Sequence, residues 1–435
     1  MTPDIAVKVG QAIGLWLRKT SVAGHRHKVV IGKDTRLSGY MIEQALGSGL
    51  NSMGVHVLFV GPLPTPGIGF LTANMRADAG IVISASHNPF HDNGIKIFGK
   101  DGFKLGDHIE DEIDNLVFET DLTKELPASE SIGRSRRIED SQGRYIVFTK
   151  STFPLQYTLD GMRIVLDCAH GAAYKVAPAV FEELGAELIT LGNEPNGLNI
   201  NDKSGALFPQ KICDAVKAYR ADVGISLDGD GDRLIMADEK GQLVNGDHIL
   251  AVCASNLAEQ KKLPGNAIVA THMSNFGLTV AMEKIGVNVV RADVGDKYVV
   301  NEMRKNGYIL GGEQSGHIIF LEHATTGDGI IGALSVLAVM KRTGKQLSEL
   351  HAMMQDMPQV LINTRVGLKK PLDSLSGYGA FIKKIEEKLK GNGRIFVRYS
   401  GTEPVIRVLV EGPDKVAITK YAEETAEFLQ KHLAE

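Results

Sequence analysis

Three α/β domains with mixed, mainly parallel sheets, followed by a C-terminal α+β domain around a central cleft, are what this sequence predicts. Three observations carry that expectation. Apolar runs of strand length alternate with amphipathic stretches of helical spacing, the pattern of parallel strands joined by right-handed crossovers. The plan recurs three times, and the second strand of each unit is led by a glycine, in GVHV, GAEL and GVNV. At 435 residues the chain also exceeds what one hydrophobic core supports, so several cores are expected.

The first unit, 1–150, opens with helix signals over 1–18: Thr2-Pro3-Asp4 at the start, then Ile5, Val9, Ile13, Leu15 and Trp16 at near-helical spacing. A strand over 27–31 ends in Gly32-Lys33-Asp34-Thr35-Arg36, a helix follows over 40–52, and further strands fall at 55–60 and 79–83. In the second unit, 151–242, the same order gives strands at 163–166, 187–191 and 223–227 with helices at 176–184 and 211–219. The third, 243–357, places strands at 267–270, 288–291 and 308–310 and helices at 278–285 and 297–305. Around Met357-Pro358 the plan changes. In 358–435 a charged helix over 377–389 precedes paired strands at 393–399 and 405–411 and a last helix at 416–433, a small α+β domain.

Composition narrows the function classes. Hydrophobic residues at 43% and charged residues at 23% argue against extended disorder. A formal net charge of −4 gives no basic footprint, so neither nucleic acid nor an anionic membrane is an expected partner, and any anion must be met locally. Cys168, Cys213 and Cys253 show no zinc spacing and read as buried thiols in a reducing compartment. The longest apolar run, 330–340, is too short to span a bilayer and no signal peptide is visible, so a cytoplasmic protein is expected.

The third strand of every unit runs into an unusual loop and then into another short apolar segment, at 95–98, 234–237 and 318–321. The first loop, Ser84-Ala85-Ser86-His87-Asn88-Pro89, is pinned by Pro89 on one side and the Asn93-Gly94 turn on the other. It offers the Ser86 hydroxyl as a nucleophile at the end of a strand, where open α/β sheets bind ligands. Taken alone, the same residues are what ordinary turns contain. The second loop is Asp228-Gly229-Asp230-Gly231-Asp232-Arg233. Carboxylates on alternate residues, with glycines that let the backbone curl, bring three oxygens to one hard cation. An EF-hand would use Glu239 as its last ligand, but Arg233 stands where that loop needs glycine and the flanks read as strands. Three such acids would repel without a cation, and an open carboxylate site suits Mg²⁺ acting on phosphate.

The third loop, Gly311-Gly312-Glu313-Gln314-Ser315-Gly316-His317, sets a carboxylate, a hydroxyl and an imidazole among glycines, groups that can hydrogen-bond a sugar or meet an amine. In the last domain Arg398, Ser400, Gly401, Thr402 and Arg407 gather guanidinium, hydroxyl and backbone donors at one turn, a cradle for a phosphate dianion. If the units pack around a common cleft, these loops converge there.

The stretches SASHNPFHDNGIKIF, DGDGDR, GGEQSGH and RYSGTEP occur in the order found in the phosphohexomutases, and the resemblance covers the whole sequence. HMSNFG and DVGDKYV fit it as well. The glutamine form GEQSGH, with ISASHNP, resembles the members that act on glucosamine phosphates. The resemblance implies that Ser86 is carried as phosphoserine and that Asp228, Asp230 and Asp232 bind one Mg²⁺ together with the Ser86 phosphate. It also implies proton transfer by Lys96 and His317, phosphate contact by Arg233 and sugar contact by Glu313 and Ser315. The loop from Arg398 to Arg407, with Ser400, Gly401 and Thr402, would hold the distal phosphate.

The implied reaction interconverts glucosamine 6-phosphate and glucosamine 1-phosphate through a sugar bisphosphate, a product that feeds amino-sugar nucleotide synthesis. The implied partner is a hexosamine phosphate, and a homodimer is left open. Mannose or glucose phosphates are the nearest rival substrates. A Mg²⁺-dependent phosphatase would use similar carboxylates but needs neither a sugar loop nor a distal phosphate loop. Family members usually begin with a strand and loop like FGTDGIRG ahead of the helix found here at Pro3. The expectation that follows is a first sheet short of a strand, with a catalytically impaired sugar-phosphate binder as the further alternative.

Overall fold

The computed structural model describes residues 1–20, 25–367, 369–400 and 405–433. The first domain runs α1 (Pro3–Thr20), β1 (Lys28–Lys33), α2 (Leu37–Ser52), β2 (His56–Pro62), α3 (Thr65–Asn74), β3 (Ala79–Ile83), β4 (Ile95–Gly99), α4 (Asp107–Glu119), β5 (Ser135–Arg137) and α5 (Ser141–Ser151). Its sheet has the order β4-β3-β1-β2-β5, parallel except for β4. Alternation along β1 splits the core. Val30 faces the α3 side, while Val29 and Ile31 face the layer of α1, α2 and α4. With helices on both faces, every residue of β3 is buried.

The second domain has β6 (Arg163–Asp167), α6 (Val176–Glu183), β7 (Glu187–Leu191), α7 (Pro209–Tyr219), β8 (Val223–Leu227), β9 (Leu234–Ala237) and β10 (Leu243–Val244), in sheet order β10-β9-β8-β6-β7. The third has α8 (Gly246–Glu259), β11 (Ala267–Thr271), α9 (Phe276–Glu283), β12 (Asn288–Ala292), α10 (Asp296–Asn306), β13 (Leu310–Gly312), β14 (Ile318–Phe320), α11 (Gly329–Thr343) and α12 (Leu347–His351), in order β12-β11-β13-β14. The third strand of each sheet, β3, β8 or β13, turns through its loop into an antiparallel neighbour, β4, β9 or β14. The same corner of three like scaffolds therefore carries three different chemistries. The expected α/β architecture with mainly parallel sheets is what the chain adopts.

The fourth domain consists of β15 (Gln359–Arg365), α13 (Tyr378–Leu389), β16 (Arg394–Tyr399), β17 (Val405–Glu411) and α14 (Lys415–Leu433), with an antiparallel sheet β15-β17-β16. It docks on the third domain. The Arg394 guanidinium donates to Ser274 O at 2.7 Å, the Phe276 N–H donates to Glu411 Oε1 at 3.0 Å, and His272 stacks on Phe396. At the junction the Asn275 side chain caps α9 through Gly277 N–H and exchanges two further hydrogen bonds with the Met357 backbone, at 2.8 and 3.0 Å.

Several sequence expectations are corrected. β13 runs to Gly312, whereas 308–310 was expected and Gly311 and Gly312 were read as loop. Glycine is demanded at these two strand positions because a Cβ at 311 would lie 2.6 Å from Met303 Sδ and one at 312 would lie 2.5 Å from His317 O. β15 was not anticipated. Its alternate residues are exposed, and its only partner among the described residues, β17, lies some forty residues later. α3, begun by Thr65-Pro66, and α11 were likewise not drawn. α11 is the apolar run at 330–340, a buried helix whose N-terminus is capped by Asp328 accepting from Ile330 and Ile331 N–H at 3.0 Å. No helix among the described residues is long and apolar enough to cross a membrane. Cys168, Cys213 and Cys253 are free and buried.

Candidate active site

Ser86 sits in the left-handed backbone region at φ +47°, unusual for a residue with a Cβ and held only because the surroundings over-determine it. Its N–H donates to Ser84 Oγ at 2.9 Å, and Ser84 Oγ in turn donates to Asp34 Oδ2 at 2.6 Å. The fully buried Arg36 guanidinium does the rest. It donates to the carbonyls of Ser86 at 3.0 Å, Asn88 at 2.8 Å and Asp92 at 2.9 Å, contacts Pro89 O, and pairs through Nε with Asp34 Oδ2 at 2.7 Å. Asn201 of the second domain adds a donor to Ser86 O at 2.9 Å. The result is a rigid loop that aims Ser86 Oγ at Asp228 Oδ2, 2.8 Å away.

Asp228, Asp230 and Asp232 are all buried, with one oxygen of each within 4.8 Å of the others. Gly229 permits this approach, since a Cβ there would lie 2.6 Å from Ser86 O. Thr65 Oγ1 donates to Asp230 Oδ2 at 2.6 Å, and Arg233 N–H donates to Asp228 Oδ1 at 3.1 Å. Asp230 Oδ1 and Asp232 Oδ1 are buried without a hydrogen-bond partner among the described residues. Burial, then repulsion from Asp232 and Asp230, pushes the Asp228 carboxyl well above the usual range. Burial acts in the same sense on Asp232, but His317 and Lys96 outweigh it and hold that carboxyl well below. Unpartnered buried oxygens on mutually repelling acids fit a hard divalent cation held by these three residues, with Ser86 at its edge.

Lys96, on β4, donates to Asp230 Oδ2 at 2.7 Å and lies 3.8 Å from Asp232. Although burial disfavours its charge, Asp230 and Asp232 win and raise its proton affinity. His317 is buried, with Nδ1 3.6 Å from Asp232 and Nε2 3.5 Å from Asp296. Burial lowers its affinity for a proton, but Asp232 and then Asp296 outweigh burial and raise it. Geometry points the other way: Gly327 N–H donates to Nε2 at 3.0 Å, which requires that nitrogen to be bare. The hydrogen bond fixes the ring as the neutral Nδ1–H tautomer, and the carboxylates pull a second proton toward it.

The loops are stitched together. Arg233 and His317 form an isolated antiparallel bridge, Leu234 N–H donates to Gly316 O at 2.9 Å, and Thr65 N–H donates to Asp230 O at 2.9 Å. The structure thus brings Ser86, Lys96, the three aspartates, Arg233 and His317 into one centre. Glu313 is half-buried, with Oε1 accepting from Gly295 N–H at 3.0 Å; Ser315 is exposed and donates to Glu313 Oε2 at 3.3 Å. In the fourth domain Arg398 and Arg407 stand directly opposite each other on β16 and β17. Burial, then the neighbouring Arg407 charge, lowers the Arg398 proton affinity, a like-charge pair that an anion would relieve. Ser400 is buried at the end of β16, where its carbonyl accepts from Lys369 Nζ at 2.7 Å; Gly401 and Thr402 lie outside the described residues.

Sequence reasoning missed Asp34 and Arg36, although the DTR at the end of β1 was visible. It also missed Thr65, Asn201, and the Lys104–Asp296 pair beside His317. Each acts on a partner far along the chain, so no local spacing marks it.

Four family profiles of phosphoglucomutase/phosphomannomutase match in sequence order: alpha/beta/alpha domain I at 1–124, domain II at 144–241, domain III at 245–357 and the C-terminal domain at 361–428. A phosphoglucosamine mutase of Bdellovibrio bacteriovorus is 67% identical over 436 aligned positions, covering 100% of this chain and 95% of that protein. Among solved structures, a phosphoglucomutase/phosphomannomutase family protein from Burkholderia thailandensis shares the fold with a TM-score of 0.81 at 24% identity, covering 99% of this chain and 94% of that one. An Aspergillus fumigatus N-acetylphosphoglucosamine mutase, solved with GlcNAc-6P and magnesium, aligns with a TM-score of 0.66 at 20% identity, covering 85% and 93%. Profiles that tile nearly the whole chain, with the loops of the first three meeting in one buried centre, make this chain a member of the phosphoglucomutase/phosphomannomutase family.

Proposed function

We propose that this enzyme interconverts glucosamine 6-phosphate and glucosamine 1-phosphate, with Ser86 as the residue that carries the phosphoryl group. The observation that carries the reading is the Ser86 hydroxyl 2.8 Å from Asp228 in a buried triad whose Asp230 and Asp232 each keep an unpartnered oxygen. Full-length similarity to a phosphoglucosamine mutase supports the amino-sugar substrate.

In this reading the phosphoryl group leaves Ser86 for the free hydroxyl of the sugar phosphate. The hydroxyl proton passes to a neighbouring base while the Ser86 oxygen, left by the phosphoryl group, takes up a proton, and the resulting bisphosphate, turned end for end, returns its other phosphate to Ser86. Asp228, Asp230 and Asp232 would hold Mg²⁺, which would supply positive charge to offset that of the transferring group. Lys96, which donates to Asp230 Oδ2 at 2.7 Å, takes part in the proton transfer in this reading. His317 presents an Nδ1–H toward Asp232, 3.6 Å away. Glu313 faces the sugar amine, Ser315 its hydroxyls, and Arg233 the phosphate. Arg398 and Arg407, with the loop through Ser400, Gly401 and Thr402, take the phosphate that is not reacting. Buried free thiols support a cytoplasmic setting for this chemistry.

Conversion of glucosamine 6-phosphate, glucose 6-phosphate and mannose 6-phosphate, measured side by side with a catalytic amount of sugar bisphosphate, tests the reading. The glucosamine phosphate is expected to give the highest kcat/KM. Preference for either other sugar would reassign the substrate, and no turnover of any would remove the mutase assignment.

A further inference from the structure

At the opposite end of the first sheet from Ser86, two histidines and an aspartate meet where two parallel strands begin. His27 directly precedes β1 and Asp78 directly precedes β3; in the register of those strands Val29 stands beside Ala79, so Asp78 comes up beside Lys28, next in sequence to His27. His25 lies two residues before His27, and the two ring centroids are 4.7 Å apart. His25 Nε2 is 2.8 Å from Asp78 Oδ1, and His27 Nδ1 is 3.7 Å from the same oxygen. One ligand atom from each residue lies within 4.8 Å of the other two.

The geometry points to a binding site for one Zn²⁺ ion, held by an imidazole nitrogen of His25, an imidazole nitrogen of His27 and a carboxylate oxygen of Asp78. Three features support it beyond proximity. First, His27 is 4% exposed, yet its Nδ1 is buried without a hydrogen-bond partner among the described residues and faces Asp78. A buried ring nitrogen left in that state is unfavourable unless something fills the gap. Second, Asp78 is already oriented as a ligand. Its Oδ2 accepts from Lys28 N–H at 2.9 Å and its own N–H donates to Lys28 O at 2.9 Å, which leaves Oδ1 turned toward both histidines.

Third, the two histidine–aspartate spacings need little adjustment. In a tetrahedral centre with bonds of about 2.0–2.1 Å, ligand atoms stand roughly 3.3 Å apart. The His25 pair must open from 2.8 Å and the His27 pair close from 3.7 Å, movements of about half an ångström that side-chain rotation supplies.

Two borderline nitrogens and one carboxylate favour zinc over magnesium, so this site and the all-carboxylate triad select different ions. Both histidines line a cavity of about 870 Å³, which leaves the fourth tetrahedral position open to a further ligand. Arg18 and Arg26 line the same cavity, so that ligand is expected to be water ionised to hydroxide or a small anion. The strands run the length of the sheet from here to Asp34 and Ser84. The ion would sit roughly 20 Å from the phosphoryl chemistry and act as a tie across the starts of β1 and β3.

The experiment is a Zn²⁺ titration by calorimetry on the metal-stripped full chain, on Asp230→Asn to discount the triad, and on His25→Ala and His27→Gln. Circular dichroism confirms that each is folded. Expected is one zinc site that survives Asp230→Asn, raises Tm, and is weakened in both histidine variants by more than the roughly 10–100-fold that loss of an outer-shell partner costs. His25 is half exposed and outside the catalytic centre, so His25→Ala keeps wild-type mutase rate in Mg²⁺ and serves if His27→Gln proves unstable. Zinc affinity unchanged by His25→Ala, or absent from Asp230→Asn, would overturn the proposal and leave the three residues as a hydrogen-bonded strand cap.

Discussion

Arg36→Met isolates what holds Ser86 in place. The guanidinium is fully buried, pairs with Asp34, and donates to backbone carbonyls of Ser86, Asn88, Pro89 and Asp92. Removing one partner of a buried ion pair costs about 3–5 kcal/mol, because the other charge stays behind uncompensated. Here the loop carbonyls lose their donor as well, so that range is a floor for local opening of 84–92. At 1.4 kcal/mol per factor of ten, amide exchange in 84–92 should quicken by roughly a hundred- to several-thousand-fold, with β6 and β8 of the second domain unaffected. Because Ser86 is strained at φ +47°, the released loop relaxes away from Asp228, and turnover should fall at least about 100-fold. Arg36→Lys, which keeps the charge but not the fork, should fall between. The assay is exchange by mass spectrometry alongside mutase rate. Wild-type exchange in 84–92 together with a normal rate in Arg36→Met would refute the reasoning.

Ser86→Ala should abolish turnover while leaving Tm within about 1 °C, since a loop hydroxyl supports little packing; retained phosphate exchange would remove Ser86 from its role. Asp230→Asn deletes one anionic ligand and should raise the Mg²⁺ concentration for half-maximal rate by at least about tenfold, so an unchanged magnesium titration would count against the triad. Asp247 gives a pH signature. Burial, only partly offset by the Asn275 N–H, pushes its carboxyl up to about 6. An acid whose folded pKa is raised favours the native state most below pH ~4 and loses that contribution as pH climbs through about 6, an effect of order 3 kcal/mol. Asp247→Asn should therefore gain Tm relative to wild type at pH 7–8 and gain nothing at pH 4; a difference flat with pH would be evidence against it.

How much was legible depended on distance along the chain. The strand–loop–strand corners could be read because apolar runs, glycines and acids sit within one short window, and the local pattern fixes the local geometry. Ser86, Lys96, Asp228, Asp230, Asp232 and His317 were named on that basis or through the family resemblance, and they meet in one centre. Arg36 was not. Its partners are carbonyls some fifty residues away, and a carbonyl leaves no mark in a sequence. β15 escaped because half its residues are exposed and its pairing to β17 is long-range. The extent of β13 was missed for the opposite reason: glycine usually signals a loop, but at 311 and 312 it answers a steric demand inside a strand.

Asn275 gives the fourth domain a fulcrum. Its side chain grips the Met357 backbone at the point where the chain leaves the third domain, and Arg394 is moored beside it on Ser274. Arg398 lies four residues farther along β16, a lever arm of about 13 Å. Turning the domain about that fulcrum by 15° would sweep Arg398 through roughly 3.5 Å, more than a hydrogen-bond length, without stretching the covalent link. Were the guanidinium pair to hold the non-reacting phosphate as proposed, the stiffness of the Asn275 side chain's three hydrogen bonds would set how readily it is let go.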